Sequence, residues 1–387
     1  MAARQDMSQR ASGADLIRVL HVITGLDVGG AERALVRFVT ASQREEVQHV
    51  VVSLKGPGRL ARDLQEAGIP VVALELNRLK KMIPGLIRFR RILGSVSPEI
   101  VQTWMYHADV IGGIVAWLSG HRRILWGLQM SDLSEGDKLS TRVLVRLGAL
   151  LSKHLPARIL ACAEEARRVH VRMGYPDGKI SVVPYGFVPG RRNEEAAKSF
   201  RDAHGIPDGN VVIGRAARFH PMKDYENLAK VIESVILRRR EVTFVLCGEG
   251  VTTDNPRFGE LLNRYPAHIR LLGRVDDMDS FYSAIDIACS SSAYGEGLPN
   301  VIGEAMAIGI PVVTTDVGDS AVLVGDTGMV VAPRDPEGLA GAIIRMIDLG
   351  EEERTHLGSR ARTQIQEHFT LSRMVDAYHD VYRQLIG

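Results

Sequence analysis

Cysteine is scarce in this chain, which has three cysteines in 387 residues. Cys162, Cys247 and Cys289 are far apart and stand in apolar surroundings. This spacing fits neither a disulfide framework nor a set of metal ligands. We expect three reduced core thiols in a cytosolic protein.

Charge of one sign and long apolar runs are also lacking. The formal net charge is only +2, so no global field that would attract a nucleic acid is implied. The longest apolar run, residues 110–118, is too short to span a bilayer. Residues 1–14 are polar, unlike a signal peptide, and we expect a disordered leader. These absences predict a cytoplasmic protein without a nucleic-acid partner.

The chain does have ample apolar residues, 45% of the total, and a length that suits two domains. Strand and helix patterns alternate along it, as a parallel α/β sheet requires. The predicted strands are 17–23, 47–54, 71–74, 100–103, 211–214, 242–247 and 269–272. Helices are predicted between them, at 31–41, 59–68, 83–94 and 225–237. We therefore predict two doubly wound domains, 15–190 and 191–370, joined by a linker within 189–194.

One stretch, residues 290–315, combines a glycine-rich turn with two carboxylates. It reads SSSAYGEGLPNVIGEAMAIGIPVVTT, with Glu296 in the turn and Glu304 inside a predicted helix, 300–308. The free N–H groups and positive dipole end of such a helix suit a phosphate. Carboxylates accept hydrogen bonds from paired sugar hydroxyls, so the stretch indicates a nucleotide-sugar site.

Each of these residues also has a structural interpretation. Gly295 and Gly297 are ordinary components of a tight turn. Glu304 is equally compatible with a solvated helix face. Taken alone, each feature is explained more simply by structure than by function.

Taken together, these residues carry a resemblance. The segment E-G-L-P-N-V-I-G-E-A-M-A, from Glu296 to Ala307, resembles the signature of the family-4 retaining glycosyltransferases, or glycosyl transferases group 1. Residues 273–336 resemble that family nearly throughout. The resemblance implies a GT-B fold, in which two Rossmann-like domains face a central cleft. It implies a nucleotide-sugar donor on the second domain, an acceptor on the first, and a last helix, 371–387, that packs back on the first.

A pair of basic residues follows the predicted strand 211–214. Arg218 offers a planar fork for phosphate oxygens, and Lys223 offers a mobile point charge. Alone, such a pair is usually a surface salt-bridge partner. Its spacing is similar to that of the family's phosphate-binding Arg and Lys, which implies that both stabilise a diphosphate leaving group.

The resemblance extends to further donor contacts. It places Gly29 and Gly30 in a loop against donor and acceptor, although the glycines at 25, 29 and 30 do not form G-x-G-x-x-G. It places the remaining donor contacts around the nucleotide and beside the two glutamates, at Gly248, Arg274, Val275, Gly297, Leu298, Asn300 and Val301. Glu296 is implied to hold the sugar and Glu304 the ribose.

The candidate general base is less certain. His107 follows the predicted strand 100–103, where it is a candidate proton acceptor, a sugar ligand or a structural histidine. Many family members carry a His after the next strand, where this chain has Gln129. Tyr185 likewise stands where the family usually has Asn. These departures leave His107 as the base, or no protein base at all.

No metal or other cofactor is expected beyond the nucleotide sugar. Asp277-Met-Asp279 has the D-x-D form of metal-dependent glycosyltransferases. It precedes a predicted helix, 280–285, where Asp279 is suited to be the N-cap. The family that the surrounding chain resembles is metal-free.

A basic amphipathic segment lies in the first half. Basic residues alternate there with apolar ones at Arg78, Lys80, Lys81, Arg88, Arg90 and Arg91. Such a segment either lies on an anionic membrane surface or is a helix with a solvated basic face. Residues 144–155 form a second, weaker candidate.

The function that these patterns predict is sugar transfer. We expect a metal-independent, retaining hexosyltransferase that acts on a glycan or lipid-linked acceptor in polysaccharide or cell-envelope synthesis, at the inner face of the membrane. The alternatives are a nucleotide-sugar 2-epimerase of GT-B fold and a noncatalytic glycan or nucleotide-sugar binding subunit. The intact set of Arg218, Lys223, Glu296 and Glu304 argues against the binding subunit.

Overall fold

The computed structural model describes residues 16–27, 29–42, 46–131 and 139–387. The leader predicted at 1–14 lies outside these residues. The chain divides into two compact units. The first unit comprises Met1–Gly127, Leu147–Leu160 and Val375–Gly387. The second unit comprises Leu128–Arg146 and Ala161–Met374.

A seven-stranded sheet forms the amino-terminal part of the fold. Its strands are β1 (Ile17–Ile23), β2 (Val47–Ser53), β3 (Val71–Ala73), β4 (Ile100–Trp104), β5 (Ile124–Leu128), β6 (Arg158–Ala161) and β7 (Ile180–Val182). Their order is β3-β2-β1-β4-β5-β6-β7. β1 pairs in parallel with β2 and with β4. Most residues of these central strands are buried, which explains their continuous apolar composition.

A six-stranded sheet forms the core of the second unit. Its strands are β8 (Val211–Ala216), β9 (Val242–Cys247), β10 (Ile269–Leu271), β11 (Ile287–Ser290), β12 (Val312–Thr315) and β13 (Met329–Val331). Their order is β10-β9-β8-β11-β12-β13, and every neighbouring pair is parallel. The predicted doubly wound α/β architecture is confirmed in both sheets.

Helices connect the strands and cover the sheets. The α-helices are α1 (Gly30–Ser42), α2 (Ala61–Glu66), α3 (Met82–Val96), α4 (Gly113–Leu118), α5 (Leu139–Leu151), α6 (Glu164–Arg172), α7 (Glu194–Ala203), α8 (Tyr225–Arg238), α9 (Gly259–Arg264), α10 (Met278–Ala284), α11 (Asn300–Ala307), α12 (Ser320–Val324), α13 (Pro336–Asp348), α14 (Gly350–His368) and α15 (Leu371–Ile386). A π-helical turn, Ala108–Gly112, precedes α4. Among the described residues, each helix is too short or too polar to cross a bilayer.

The prediction of Asp279 as a helix cap is wrong by two residues. α10 begins at Met278, and its N-cap is Asp277. The Asp277 carboxylate accepts hydrogen bonds from the Ser280 backbone N–H at 3.0 Å and from its hydroxyl at 2.5 Å. These hydrogen bonds lower the pKa of Asp277, so the first carboxylate of the D-x-D pattern is committed to the helix start.

Aromatic residues of α15 pack on the first unit. The Tyr378 ring stacks on Trp104 with ring centroids 5.9 Å apart, and it packs against the tilted ring of Phe38 with centroids 4.3 Å apart. The Tyr382 hydroxyl donates a hydrogen bond to Gln102 Oε1. The carboxyl-terminal half of α15 therefore completes the core of the first unit.

A chain of buried polar side chains crosses this core. Trp104 Nε1 donates to His21 Nδ1 at 3.2 Å, and His21 Nε2 lies 2.8 Å from His49 Nδ1. His49 Nε2 lies 2.9 Å from Ser42 Oγ, which lies 2.7 Å from His379 Nε2. Because the Trp104 indole only donates, His21 carries its proton on Nε2, and His49 in turn donates to Ser42. Both histidines are therefore neutral.

Burial explains this neutral state. It holds the pKa of His21 well below the usual value, and His49 lowers it further. Burial, followed by His379, lowers the pKa of His49 to about 3. The unfolded chain binds protons at these positions near pH 6.5, whereas the folded protein does not.

We predict that the first unit loses stability in acid. The contribution of His21 and His49 to its free energy of unfolding is constant above about pH 6.5 and falls as the pH drops toward 3, by about 1.4 kcal/mol per pH unit for each histidine. The measurement is the melting temperature between pH 8 and pH 4. His49→Gln should flatten this dependence, whereas the exposed His356→Gln should retain it. Equal slopes in the two variants would contradict the prediction.

Candidate active site

The first sheet reverses its strand order between β1 and β4, where parallel sheets commonly bind ligands. Gly29 and Gly30 follow β1, and His107 follows β4. Ile23 and Trp104 are register partners near the ends of these strands. The structure therefore brings these three candidate residues to the same edge of the first sheet.

The second sheet reverses its strand order between β8 and β11. Arg218 and Lys223 follow β8, and Glu296 follows β11. The two strands are paired through Ile213 with Ile287. Because the carboxyl ends of parallel strands meet at one edge, the predicted phosphate-binding pair and the predicted sugar-binding carboxylate come together.

An ion pair joins the two loops. Lys223 Nζ donates a hydrogen bond to Glu296 Oε1, and Ser292 Oγ donates to the same oxygen at 2.6 Å. The side chains of Lys223 and Glu296 are only 16% and 12% exposed. Burial alone would raise the pKa of Glu296. The Lys223 charge, the hydrogen bonds from Lys223 and Ser292, and the Arg215 charge together lower it below the usual value.

Backbone hydrogen bonds fix the neighbouring loops. Ala293 N donates to Met222 O at 2.8 Å, and Phe219 N donates to Glu249 O at 2.7 Å. Thr315 Oγ1 donates to Ser292 O at 2.6 Å. The loops that follow β8, β9, β11 and β12 therefore form one connected rim.

Arg218 lies on this rim with an exposed side chain. Within the part of the chain that the structure describes, its guanidinium forms no ion pair. Arg218 therefore differs from Lys223, whose ammonium is already paired. Its donors face solvent, where an incoming anion can reach them.

Gly248 permits a close approach of two loops. Its φ of +141° is unfavourable for other residues, and a Cβ at this position would lie 2.1 Å from Ala217 O. Gly248 N donates to Gly273 O at 2.6 Å, which brings Arg274 and the half-buried Val275 to the same rim. Arg274 pairs with Glu249 at 2.8 Å.

α11 begins beside Glu296, as predicted. Its N-cap is Pro299, which contributes no side-chain cap, and Leu298 and Asn300 are buried. Val301 is half-buried in the first turn. Glu304, one turn inside, accepts a hydrogen bond from the Tyr282 hydroxyl at 2.9 Å. The two glutamates therefore flank the helix start.

Gln129 and Tyr185, which the resemblance marks as departures from the family pattern, contact each other. The Tyr185 hydroxyl donates to Gln129 Oε1 at 2.5 Å. A Cβ on Gly297 would lie 2.4 Å from Cys162 Sγ and 3.5 Å from Gln129 O. The Gln129 backbone and the Cys162 thiol therefore pack against the glycine that follows Glu296, and Tyr185 is hydrogen-bonded to the Gln129 side chain.

His107 is followed two residues later by Asp109, whose carboxyl group is buried. Partial burial of the imidazole, and then the charge of Lys55, lowers the pKa of His107. Asp109 is buried and accepts hydrogen bonds from Thr103 Oγ1 at 2.5 Å and Gly127 N at 3.3 Å. Burial raises the pKa of Asp109 to about 8. At neutral pH, Asp109 is therefore largely a neutral acid.

Sequence reasoning missed several residues of the second-sheet site. Ser292 and Tyr282 hold the two glutamates, and Arg215 adds a buried charge. The sequence signal that could have identified Arg215 is the presence of a charged residue in the otherwise apolar strand β8. Within the described residues, no group of three or more His, Cys, Asp or Glu side chains is arranged to hold a metal ion.

Two family models match this chain. The model described as Glycosyltransferase Family 4 matches residues 28–191, and the model described as Glycosyl transferases group 1 matches residues 210–348. The chain belongs to the family-4 glycosyltransferases. The family resemblance inferred from the glutamate spacing is therefore confirmed.

Individual relatives agree with this assignment. The UDP-Gal:alpha-D-GlcNAc-diphosphoundecaprenol alpha-1,3-galactosyltransferase of Escherichia coli is 20% identical over 82% of this chain and 83% of its own length. The putative glycosyltransferase EpsF of Bacillus subtilis is 24% identical over 77% and 79%. Among solved structures, Anabaena HepE in complex with UDP and glucose covers 95% of this chain and 100% of its own, with a TM-score of 0.84 at 19% identity. The family-4 enzyme therefore has the predicted GT-B fold.

We predict that Lys223 and Glu296 are strongly coupled in the stability of the second unit. Lys223→Met leaves a mostly buried carboxylate without its cation and should cost about 3 kcal/mol in the free energy of unfolding. The double variant Lys223→Met/Glu296→Gln should recover most of this loss. Denaturant unfolding of wild type, Lys223→Met, Glu296→Gln and the double variant measures the coupling.

The matched control is the surface pair Arg239 and Asp348, whose side chains are 40% and 46% exposed. Arg239→Met should cost much less than Lys223→Met, because solvent screens the exposed pair. An equal loss in the free energy of unfolding for Lys223→Met and Arg239→Met would show that the buried pair is not coupled.

Proposed function

We propose that this chain is a retaining, metal-independent glycosyltransferase. It moves a hexose from a nucleoside-diphosphate sugar to a hydroxyl of a glycan or lipid-linked acceptor in polysaccharide or cell-envelope synthesis. The observation that carries the proposal is the ion pair between Lys223 and Glu296 at the strand-order reversal of the second sheet, with Arg218 on the same loop as Lys223. The relatives named above are transferases, which favours transfer over epimerisation or noncatalytic binding.

The basic residues act on the leaving group. As the bond between the sugar and the diphosphate breaks, negative charge builds up on the distal phosphate. Arg218, Lys223 and the start of α11 stabilise this charge. Because these groups supply the positive charge, the reaction needs neither a metal nor another cofactor.

The acidic residues hold the donor. Glu296 accepts hydrogen bonds from sugar hydroxyls, and Glu304 accepts them from the ribose. Gly248, Arg274 and Val275 lie beside the nucleotide, and Gly297, Leu298 and Val301 surround the sugar and phosphates. The acceptor hydroxyl attacks from the face that the diphosphate leaves, so the anomeric configuration is retained.

Donor binding requires the ion pair to open. In the free protein, the Lys223 ammonium and one Glu296 oxygen occupy each other. The phosphate takes Lys223 and the sugar hydroxyls take Glu296, so the donor exchanges one buried pair for two new contacts. An incomplete donor that lacks either part gains less from this exchange.

The proton of the acceptor hydroxyl goes to His107 or to the departing phosphate. The lowered pKa of His107 keeps the imidazole neutral and able to accept a proton at neutral pH. Gly29 and Gly30, at the same edge of the first sheet, give the substrates close access to the backbone.

Uridine nucleotides are the first donors to test. The Escherichia coli relative is named for UDP-Gal, and HepE is described in complex with UDP-glucose and with UDP and glucose. We predict that wild-type protein releases UDP slowly from one UDP-sugar in the presence of EDTA. Glu296→Gln should lower this turnover by about 100-fold or more, because hydrogen bonds that form in the transition state are lost.

The measurement is a coupled assay of UDP release, repeated with GDP-, ADP- and dTDP-sugars. Glu260→Gln, an exposed substitution on α9, is the matched control and should retain wild-type turnover. Undiminished turnover of Glu296→Gln would remove this carboxylate from the mechanism. Activity that disappears with EDTA would contradict metal independence.

We further propose peripheral binding to an anionic membrane at its cytoplasmic face. The α3 surface, defined by Met82, Ile83, Ile87, Arg90 and Arg91, is exposed. Its apolar members are 45%, 67% and 49% exposed. Exposed apolar side chains beside basic ones are more typical of a helix that binds a lipid surface than of a helix with a solvated basic face. α5 repeats the pattern with Val143, Leu147 and Leu150.

We predict that the protein cosediments with vesicles of phosphatidylglycerol and phosphatidylcholine and not with phosphatidylcholine alone. Arg90→Gln/Arg91→Gln should weaken binding by roughly 30-fold, since each basic residue contributes about 1 kcal/mol near the lipid. Ile83→Ser/Ile87→Ser should weaken it as well. Leu237→Ser, at an exposed position on α8, is the control for lost apolar surface. Equal binding of all variants would rule out the α3 surface.

A further inference from the structure

Arg215 is a buried arginine that forms no ion pair with a carboxylate within the described part of the chain. It lies near the end of β8, and only 2% of its surface is exposed. Its guanidinium carbon lies 4.3 Å from the centroid of the Tyr225 ring. Among the described residues, Nε and Nη1 have no hydrogen-bond partner. An isolated buried charge is costly, so its retention calls for a physical reason.

One hydrogen bond connects Arg215 to the phosphate loop. Arg215 Nη2 donates to the backbone carbonyl of Lys223, and Ser291 Oγ donates to the same oxygen at 3.1 Å. Two donors on one carbonyl fix the backbone from which the Lys223 side chain extends. Arg215 therefore holds the turn in place while the ammonium remains free to change partners.

The charge of Arg215 acts on Glu296. Lys223, Arg215 and the Ser292 hydroxyl all favour the ionised form of this carboxyl. Asp319 is a second acidic residue close to this site, since its backbone N–H donates a hydrogen bond to the carbonyl oxygen of Gly297, the residue after Glu296, at 2.9 Å. The Asp319 carboxylate accepts from the backbone N–H groups of Glu164 and Glu165, so its charge is engaged elsewhere.

Opening of the ion pair creates an electrostatic problem. When a diphosphate takes Lys223, the Glu296 carboxylate is left mostly buried and loses its nearest cation. Burial then favours protonation. A protonated Glu296 has lost half of its capacity to accept hydrogen bonds from sugar hydroxyls.

We propose that Arg215 is a positioning residue that keeps Glu296 ionised when Lys223 leaves it for the donor diphosphate. This inference rests on the proposed function. A fixed cation without a carboxylate of its own suits the task, because its charge is not neutralised by a local partner. Stacking on Tyr225 and the hydrogen bond to Lys223 O hold it in place before and after the exchange.

The test measures proton uptake on binding of UDP, by calorimetry at pH 6.5 in buffers of different ionisation enthalpy. Wild type and Arg215→Lys should take up similar numbers of protons. Arg215→Gln and Arg215→Met should take up at least about half a proton more per UDP, because Glu296 becomes protonated as Lys223 leaves. Protons contributed by the nucleotide cancel in the comparison.

Arg215→Gln and one further variant, Arg215→Gln/Glu296→Gln, assign the effect. Arg215→Gln retains a hydrogen-bond donor for Lys223 O without the charge. It therefore separates the effect of the charge from the effect of the hydrogen bond. It also keeps the test possible if Arg215→Met does not fold. Arg215→Gln/Glu296→Gln should return proton uptake to the wild-type value, because the titrating group is gone. Persistent extra uptake in this double variant would overturn the assignment to Glu296.

The outcomes distinguish the two proposals. UDP binding with equal proton uptake in wild type and Arg215→Gln overturns the role of Arg215 and leaves the proposed function standing. If wild type binds none of UDP, GDP, ADP or dTDP, the proposed function fails, and the role of Arg215 fails with it.

Discussion

The parallel pairing of β8 with β11 is the constraint on which the candidate site depends. It joins loops whose ion-paired residues, Lys223 and Glu296, are 73 positions apart in the chain. Gly214 enables the close packing around β8, because a Cβ there would lie 2.4 Å from Ile285 Cγ2. The proposed phosphate-binding pair, the proposed sugar-binding carboxylate and the start of α11 take their positions from this one pairing.

Burial of charge is the second theme of the site. Two cations, Lys223 and Arg215, surround one carboxylate, Glu296. The excess positive charge suits an anionic donor and would be unfavourable without one. Tyr225 helps to accommodate it. Burial raises the pKa of the Tyr225 hydroxyl to about 12, so the hydroxyl stays protonated, donates to Ala217 O at 2.5 Å and keeps the ring beneath Arg215.

Local patterns in the sequence were sufficient for the elements that depend on local forces. β1, α11 and α15 were predicted within one or two residues, since apolar periodicity and helix-breaking residues determine them. The family signature identified Glu296 and Glu304. Short amphipathic helices such as α9, with little periodicity to read, were missed.

Contacts between distant residues could not be predicted in this way. The cap of α10 depends on which of two aspartates reaches the Ser280 N–H, and only coordinates distinguish them. Tyr282 reaches Glu304 across 22 residues, and Arg215 acts through a backbone carbonyl. Tertiary packing determines these partners, and no local propensity encodes it.

The hydrogen bond between Tyr185 and Gln129 ties together two positions that are 56 residues apart in the chain. Tyr185 is only 3% exposed, so a change of Gln129 to an apolar residue leaves a buried hydroxyl without this acceptor. A change of Tyr185 to phenylalanine likewise leaves the Gln129 amide without this donor. The two side chains therefore constrain each other, and only a matched change at both positions avoids an unsatisfied polar group.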